Sequence, residues 1–281
     1  MTDLAPVLEA LAFVEGHLQA PIAVADIADA AGYSLYHFCR VFNAATHHTP
    51  YSYLTRRRLA EAARALVTTD RRVIDIALDY QFNNPETFTR ACRRVFDATP
   101  SQLRASGCCD PHRVMPALTA AHLSYVMENR EALRPIIVKR GPLHLAGLMT
   151  WIDDETSSCA ALWDRVQAVV AHHKGLTALP DRYALRWYPP GWARGGVLYL
   201  AAVRLSDAEV DLTGTPLVRK RLPGGPTVRF RHAGPPETLS LLLDYVYHTW
   251  LPNAERTLAA PFTLEHREDE LRNVFLPLCP D

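Results

Sequence analysis

The sequence lacks several features that would place it in a common class of protein. No apolar run approaches the roughly 20 residues of a transmembrane helix, and the first residues lack the basic region of a signal peptide. Basic residues (Lys plus Arg) and acidic residues (Asp plus Glu) both number 30, so the net charge does not indicate a nucleic-acid partner. We therefore expect a soluble cytoplasmic protein with no membrane partner.

The sequence also has few residues arranged for metal binding or catalysis. Its six cysteines form no disulfide framework. Cys108 and Cys109, with His112 nearby, have poor spacing for zinc, and no second ligand pair follows them. We interpret the adjacent His47 and His48 as a surface pair. No Ser-His-Asp arrangement is evident, so we expect no metal, no cofactor and no enzymatic activity.

What the chain does contain is an internal repeat. Matching positions are offset by 49 residues before a turn and by 50 residues after it. They are Asp26-Ile27-Ala28 with Asp75-Ile76-Ala77, Tyr33 with Phe82, Phe38 with Phe88, Arg40 with Arg90, and Thr49-Pro50 with Thr99-Pro100. Each copy has the pattern of a short helix, a tight turn, a longer helix and the start of a third. This order predicts a tandem helix-turn-helix.

The turn and cap residues fit that prediction. Gly32 stands in the turn of copy one, where a positive φ favours glycine, and copy two has Gln81 there. Asn84 and Pro85 are typical of the start of a helix, as cap and first residue. A helix over residues 50–67 should join the two copies.

Arginine is concentrated in this region although its charge balances. Residues 1–106 contain 11 Arg, no Lys and 11 acidic residues. Those that cluster on the connecting helix and the second recognition helix are Arg56, Arg57, Arg58, Arg64, Arg90, Arg93 and Arg94. Guanidinium groups suit bidentate contacts to phosphate or guanine. The alternative is a solvated face in which these arginines pair with Glu61 and Asp97.

About the first 106 residues resemble the AraC/XylS family of transcription regulators. The residues that carry the resemblance are Asp26-Ile27-Ala28, Gly32-Tyr33-Ser34, His37-Phe38, Arg40, Phe42, Asp75-Ile76-Ala77, Phe82, Phe88, Arg90, Phe96 and Thr99-Pro100-Ser101. The resemblance implies that each recognition helix enters a major groove of double-stranded DNA, and RNA polymerase is a further expected partner. It places DNA contacts at Leu35, Tyr36, His37, Arg40, Asn84, Glu86, Thr87, Thr89 and Arg90.

From about Arg134 the apolar pattern becomes strand-like. Predicted strands cover residues 136–144 (continuing through 145–151), 183–188, 197–205, 227–232, 262–266 and 273–278, and predicted helices cover 160–172 and 237–250. This is a βαββ order that occurs twice, typical of an α+β domain with antiparallel strands. We therefore predict a multi-domain protein, with an all-α domain over residues 1–106, a linker over 107–133 and an α+β domain over 134–281.

The second domain resembles the GyrI-like small-molecule-binding domain, in which two βαββ halves face a central cleft. The features that carry the resemblance are Trp163, the Gly234-Pro235-Pro236 turn, Trp250, Glu265 and the closing Val274-Phe275-Leu276-Pro277-Leu278. It implies an aromatic-lined pocket with an acidic residue for cationic amphiphiles. The candidate walls are Trp163, Trp187, Tyr199 and Trp250, and the candidate acid is Glu265.

These patterns predict a DNA-binding transcription regulator whose C-terminal domain binds a small, apolar or cationic effector. Two alternatives concern that domain. It could hydrolyse its ligand with Glu265 as general base, or it could bind a protein partner. The aromatic residues could equally be plain core, and Glu265 could be an exposed strand residue. Activation or repression, and monomer or dimer, stay open.

Overall fold

The chain forms two compact units. The structure, a computed structural model, describes residues 4–152, 159–173, 176, 181–188, 196–205, 210–232, 234–268 and 271–280. The helical unit comprises Met1–Asn129 together with Leu243–Ala254, and the sheet unit comprises Arg130–Leu242 together with Glu255–Asp281. Within the described ranges, none of the helices has the length and apolar character needed to cross a membrane.

Eight helices lie in the described part of the first 129 residues. They are α1 (Ala5–Gly16), α2 (Val24–Ala30), α3 (Leu35–Thr46), α4 (Pro50–Thr68), α5 (Val73–Asp79), α6 (Pro85–Phe96), α7 (Pro100–Ser106) and α8 (Ala120–Glu128). The predicted tandem helix-turn-helix is confirmed. Helices α2 and α3 form the first motif, α5 and α6 form the second, and α4 joins them.

The two turns have the same backbone geometry although their residues differ. Gly32 has a φ of 68° and Gln81 has a φ of 66°. In each copy the amide of the following residue donates to the carbonyl five positions earlier, at 3.0 Å and 2.9 Å. The left-handed region costs a residue with a Cβ about 1–2 kcal/mol. The Gln81 side-chain amide donates to the Gln19 carbonyl oxygen at 2.6 Å, and this bond offsets part of that cost.

Helix α4 supplies side chains to two separate cores. Tyr53 and Leu54, near its start, pack in the core of the first motif with Phe38 and Phe42. Further along, α4 packs in the core of the second motif, whose buried members include Leu59, Ala62, Ala63, Leu66, Ile76, Phe88 and Cys92. The two motifs are thus separate hydrophobic cores fixed to one helix.

The predicted linker is partly folded. Met115 and Leu123, which lie within it, are both 1% exposed and pack in the first core. The Leu118 amide donates to the Tyr53 hydroxyl at 3.2 Å. Residues 107–129 therefore complete the helical unit, and α8 is an element that the sequence analysis missed.

The predicted pair of βαββ halves is confirmed in the sheet unit. The elements are β1 (Ile136–Arg140), β2 (Leu143–Ile152), α9 (Ala160–Ala171), β3 (Arg182–Trp187), β4 (Val197–Arg204), β5 (Val218–Leu222), β6 (Gly225–His232), α10 (Leu239–Tyr245), β7 (Phe262–Glu268) and β8 (Leu271–Pro277). A 3-10 helix (Pro236–Thr238) precedes α10, and a π-helix (Val246–Trp250) and α11 (Leu251–Asn253) follow it. The halves are β2-α9-β3-β4 and β6-α10-β7-β8.

The eight strands form one antiparallel sheet with the order β1-β6-β8-β7-β3-β4-β2-β5. Strands β3 and β7 pair at its centre and join the two halves. Strand β1 is joined to β2 by two residues but pairs with β6 of the second half, and β5 is joined to β6 by two residues but pairs with β2 of the first half.

Two short connections force this sheet to curl. Residues 141–142 alone join β1 to β2, and residues 223–224 alone join β5 to β6. The strands that they join are six spacings apart, or about 29 Å in a flat sheet, whereas three Cα–Cα steps reach about 11 Å. The two ends of the sheet must therefore approach each other. A Cβ on Gly224 would lie 2.8 Å from the Arg140 carbonyl oxygen, so the two connections touch.

We predict that Gly224→Ala destabilises the sheet unit. The added Cβ would also lie 2.9 Å from backbone atoms of residues 141 and 142, so backbone must shift. Overpacking of this kind costs about 1–3 kcal/mol of the free energy of unfolding. Gly141→Ala is the matched control, because its Cβ would have nothing within 4 Å. Tryptophan fluorescence during urea denaturation measures the effect, since four of the five tryptophans belong to the sheet unit and only Trp250 belongs to the helical unit. Equal costs for the two variants would contradict the proposed contact.

Candidate functional site

The predicted DNA-contacting residues of copy one share one open face of α3. Leu35 is 49% exposed and Tyr36 is 75% exposed, and His37 and Arg40 are also exposed. The guanidinium of Arg40 lies 5.8 Å from the centre of the Tyr36 ring. Phe38, between them in sequence, is fully buried. The helix is therefore held by its apolar face and presents the other face to solvent.

Copy two repeats this arrangement on α6. Asn84, Glu86, Thr87 and Arg90 are exposed, and Thr89 is half-buried. The Asn84 side-chain oxygen accepts from the Thr87 amide at 2.8 Å and so caps the helix. The capping contact fixes the Asn84 side chain at the helix start, where its amide nitrogen stays available for an outside acceptor.

The clustered arginines of α4 and α6 divide into an exposed group and a buried one. Arg93 and Arg94 are exposed in the last turn of α6, beyond Arg90. Arg57 on α4, by contrast, is 3% exposed. Its guanidinium holds both carboxylate oxygens of Glu15, at 2.8 Å and 2.7 Å, and donates to the Met115 carbonyl at 2.7 Å. It therefore ties α1 and the chain after α7 to α4.

Two neighbouring arginines also have internal roles. Arg58 donates to the carbonyls of Leu18 and Ala20, at 2.9 Å and 2.6 Å. Arg56 donates to the carbonyl of His248 at 2.5 Å. Phosphate contacts by Arg56, Arg57 and Arg58 are thus a prediction that the structure does not support. Sequence spacing alone did not reveal that these side chains satisfy backbone carbonyls and a buried carboxylate.

A distant segment of the chain, Leu243–Ala254, completes the helical unit. The His48 ring nitrogen Nε2 lies 3.0 Å from the Thr249 hydroxyl. The rings of His112 and Tyr247 stack with their centres 3.5 Å apart. His48 is 3% exposed, so its assignment to the surface was wrong. The segment carries Trp250, a predicted ligand contact, into this unit.

Burial keeps the histidines around this segment neutral. Burial lowers the pKa of His48 to about 3, and the nearby positive charge of Arg56 adds to the effect. Burial alone lowers the pKa of His112 to about 3. The pKa of His248 is also well below its usual value, again mainly through burial. The packing of the segment therefore requires neutral imidazoles.

The sheet unit contains a cavity of about 240 Å³ on the face of the sheet that α9 covers. Strands β3, β4, β7 and β8 provide its floor, and α9 and the start of α10 provide its sides. The lining residues are Cys159, Ala160, Trp163, Arg182, Ala184, Arg186, Tyr199, Pro236, Glu237, Ser240, Glu265, Arg267 and Arg272. All of them belong to the sheet unit.

A buried ion pair lies in this cavity. Arg186 Nε is 2.8 Å from Glu265 Oε1, and the two residues are 7% and 6% exposed. The Arg186 guanidinium also lies 5.3 Å from the centre of the Tyr199 ring. Trp163 Nε1 donates to the Tyr199 hydroxyl at 3.2 Å, and burial raises the pKa of that hydroxyl. Glu265 is thus neither an exposed strand residue nor an open carboxylate.

The structure brings together three of the five predicted ligand contacts. Trp163, Tyr199 and Glu265 line the cavity, whereas Trp187 and Trp250 do not. Successive side chains of a strand point to opposite faces, and Trp187 faces away from the cavity. Its ring stacks on Phe262 with centres 5.8 Å apart. Trp250 lies in the helical unit.

Sequence reasoning missed the arginines of the cavity. Arg182, Arg267 and Arg272 line it in addition to Arg186. The alternation of side chains along a strand could have located two of them, because residues an even number of positions apart share a face. Arg182 therefore shares a face with Arg186, and Arg267 shares one with Glu265. The ion pair also disfavours Glu265 as a general base, since its carboxylate already neutralises a guanidinium. Among the described residues, no group of three or more His, Cys, Asp or Glu is placed to hold a metal ion.

Comparisons with known proteins match the helical unit most strongly. A family model described as a helix-turn-helix domain matches residues 27–106. The chain is similar to transcriptional regulator Rob of Salmonella typhimurium, with 40% identity over 108 residues that cover 38% of this chain and 37% of Rob. It is also similar to regulatory protein SoxS of Escherichia coli K12, with 39% identity over 94 residues that cover 34% of this chain and 88% of SoxS.

These matches leave the sheet unit without a close relative among them. The chain spans about a third of the length of Rob, the first of these relatives. A solved structure of SAV2435 bound to tetraphenylphosphonium covers 52% of this chain and 94% of that protein, with 16% identity and a TM-score of 0.40. A likeness at this level carries no argument about ligands.

We predict that acid destabilises the helical unit through its buried histidines. Their pKa values are lower in the folded state than the ordinary 6.5, so the unfolded chain takes up protons that the folded chain does not. Stability therefore falls as pH drops from about 6.5 towards about 3, by up to about 1.4 kcal/mol per pH unit for each histidine. In urea denaturation followed by circular dichroism, His48→Gln should reduce this pH slope. An unchanged slope in the variant would contradict the assignment to His48.

Proposed function

The chain belongs to the AraC/XylS family of helix-turn-helix transcription regulators, and we propose that it reads DNA through the exposed faces of α3 and α6 and responds to a small effector bound in the cavity of the sheet unit. The proposal that the chain reads DNA rests on the similarity between the exposed face of α3 and the exposed face of α6. Arg40 and Arg90 occupy equivalent exposed positions on helices whose preceding turns have the same φ.

Each exposed face carries groups that suit base and phosphate contacts. Arg90 is free to form bidentate hydrogen bonds to guanine, and Arg93 and Arg94 add positive charge for phosphates. His37 and Tyr36 provide a donor and an aromatic surface on α3. The residues proposed for DNA contact are Leu35, Tyr36, His37, Arg40, Asn84, Glu86, Thr87, Thr89 and Arg90.

The connecting helix supports simultaneous contact by both motifs. The 19 residues of α4 span about 28 Å. Recognition helices that enter successive major grooves on one side of DNA are about 34 Å apart. A single chain can thus contact two grooves, and we propose that RNA polymerase is the partner through which the bound protein acts on transcription.

The chain path supports a route from the cavity to the DNA-binding helices. Helix α10 contributes Ser240 to the cavity lining, and its last residues belong to the helical unit, where the Tyr245 ring lies 5.6 Å from the His47 ring. A ligand that displaces the start of α10 would displace the segment that packs on His48 and Arg56. We propose that effector binding changes DNA affinity by this route, and the sign of the change is an outcome of the experiment.

The test of DNA reading is selection of binding sites from random duplexes by the full chain at a stated salt concentration. We expect an enriched motif, and His37→Ala and Arg90→Ala should each lose about 1–3 kcal/mol of binding free energy for it. Arg134→Ala is the control, since this exposed arginine pairs with Glu131 in the sheet unit and should leave affinity unchanged.

Salt dependence separates base contacts from phosphate contacts. Arg93→Ala should weaken binding to all sequences and reduce the slope of log affinity against log salt by about 1. If no motif is enriched, or if the motif survives both His37→Ala and Arg90→Ala, the proposed reading faces are wrong.

A further inference from the structure

The cavity of the sheet unit carries an excess of positive charge. Its lining contains four arginines but only two carboxylates, those of Glu237 and Glu265. The buried pair of Arg186 and Glu265 is neutral as a unit, with its closest atoms 2.8 Å apart. Of the three remaining arginines, Arg182 and Arg267 are exposed at the rim and Arg272 is half-buried. The one other carboxylate of the lining, Glu237, is also exposed, on the 3-10 helix. The charge of the lining therefore opposes the cationic ligand that the sequence suggested.

The three remaining arginines form a row across neighbouring strands. Arg182 on β3 is directly opposite Arg267 on β7, and Arg267 is directly opposite Arg272 on β8. Neighbouring strands are about 4.8 Å apart, and like charges at directly opposite positions destabilise a sheet. Among the side chains that the structure describes, which exclude those of residues 268–270, no carboxylate lies within 4.0 Å of these three guanidinium groups. The row concentrates positive charge beside a cavity at a cost to folding.

An aromatic wall adjoins the row. Trp163 and Tyr199 are joined by a hydrogen bond of 3.2 Å, which fixes the Trp163 indole in place. The small side chains of Ala160 and Ala184 leave space beside it. A flat ring can thus contact Trp163 while a substituent reaches the arginines.

We propose that this cavity binds an organic anion, namely an aromatic acid of one or two rings whose carboxylate contacts Arg267 and Arg272. Planar guanidinium groups hold carboxylates through paired hydrogen bonds, and the anion relieves the repulsion along the row. The volume of about 240 Å³ is below the roughly 300–1,000 Å³ of pockets for larger ligands, which favours a small one. This inference rests on the proposed effector function and specifies the ligand class of the same cavity.

A matched set of ligands tests the charge preference. Isothermal titration calorimetry with the full chain compares 2-naphthoate, 2-naphthylmethanol and 2-naphthylmethylammonium, which share one ring system but differ in charge. We expect 2-naphthoate to bind at least tenfold more tightly than both others, and added salt should weaken its binding most. Equal or tighter binding of the alcohol or the ammonium would overturn the inference.

Two variants test the assignment to the row. Arg267→Gln and Arg272→Gln should each weaken 2-naphthoate binding about tenfold and leave binding of 2-naphthylmethanol unchanged. The unchanged alcohol would show that the cavity is intact. Arg231→Gln is the matched control, because Arg231 is exposed on the adjacent strand β6 and does not line the cavity. Full 2-naphthoate affinity in both row variants would overturn the assignment.

The outcomes also separate this inference from the proposed function. Preferred binding of the ammonium would refute the anion class but leave the cavity as an effector site. Failure of all three ligands to bind at millimolar concentration would overturn the anion inference and count against an effector role for this cavity. DNA-site selection is independent of both results.

Discussion

The helical unit depends on a set of contacts between residues about 200 positions apart. The side chain of His48 meets the Thr249 hydroxyl at 3.0 Å, and the Arg56 guanidinium meets the His248 carbonyl at 2.5 Å. Because His48, His248 and Thr249 are buried and Arg56 is half-buried, an unmade contact would leave polar atoms without water, at about 1–3 kcal/mol each. The unit that presents α3 and α6 is therefore complete only when Leu243–Ala254 is in place. The covalent continuity of that segment with α10 gives the proposed effector a route to the recognition helices.

The cavity follows from a different constraint, the short connections at the ends of the sheet. Strands that are six positions apart are joined by two residues, so the sheet must curl and its central strands, β3 and β7, become the floor of a concave face. The two βαββ halves place α9 and the start of α10 on either side of that floor. Charged residues at alternating positions of β3 and β7 then point into the cavity. One internal ion pair and one row of like charges result, and the row favours an anion.

The repeat and the order of elements were predictable from sequence because both depend on local patterns. The 49- and 50-residue offsets located both helix-turn-helix motifs, and alternating apolar residues located most strands. Strand β5 was not predicted because its central residues are charged, as is common at a sheet edge. They are Arg219, Lys220 and Arg221. Helix α8 was not predicted because the stretch before it, which contains proline and cysteine, was interpreted as part of a linker.

The sites were less predictable because they depend on which residues meet in space. Arg57 and the exposed Arg94 cannot be told apart in the sequence, since both are arginines in a predicted helix. The folded chain distinguishes them, because Arg57 forms a buried ion pair with Glu15. Trp163 and Trp187 looked equally suitable as cavity walls, but strand parity places Trp187 on the other face. Trp250 was assigned to the cavity through the resemblance to the GyrI-like domain, whereas the structure places it at the end of the π-helix, in the helical unit. The charge of the cavity emerged only when the register set Arg182, Arg267 and Arg272 side by side.

Native-state hydrogen exchange of the full chain, with and without its selected DNA site, shows whether Val246–Trp250 folds as part of the DNA-binding unit. We expect the amides of Val246–Trp250 to open with the same free energy as those of α4 and to gain the same protection when DNA binds, whereas amides of β3 and β7 should not. If Val246–Trp250 instead exchanged with the strands and showed no response to DNA, the segment would not belong to the DNA-binding unit. The proposed route from the cavity to α3 and α6 would then be wrong.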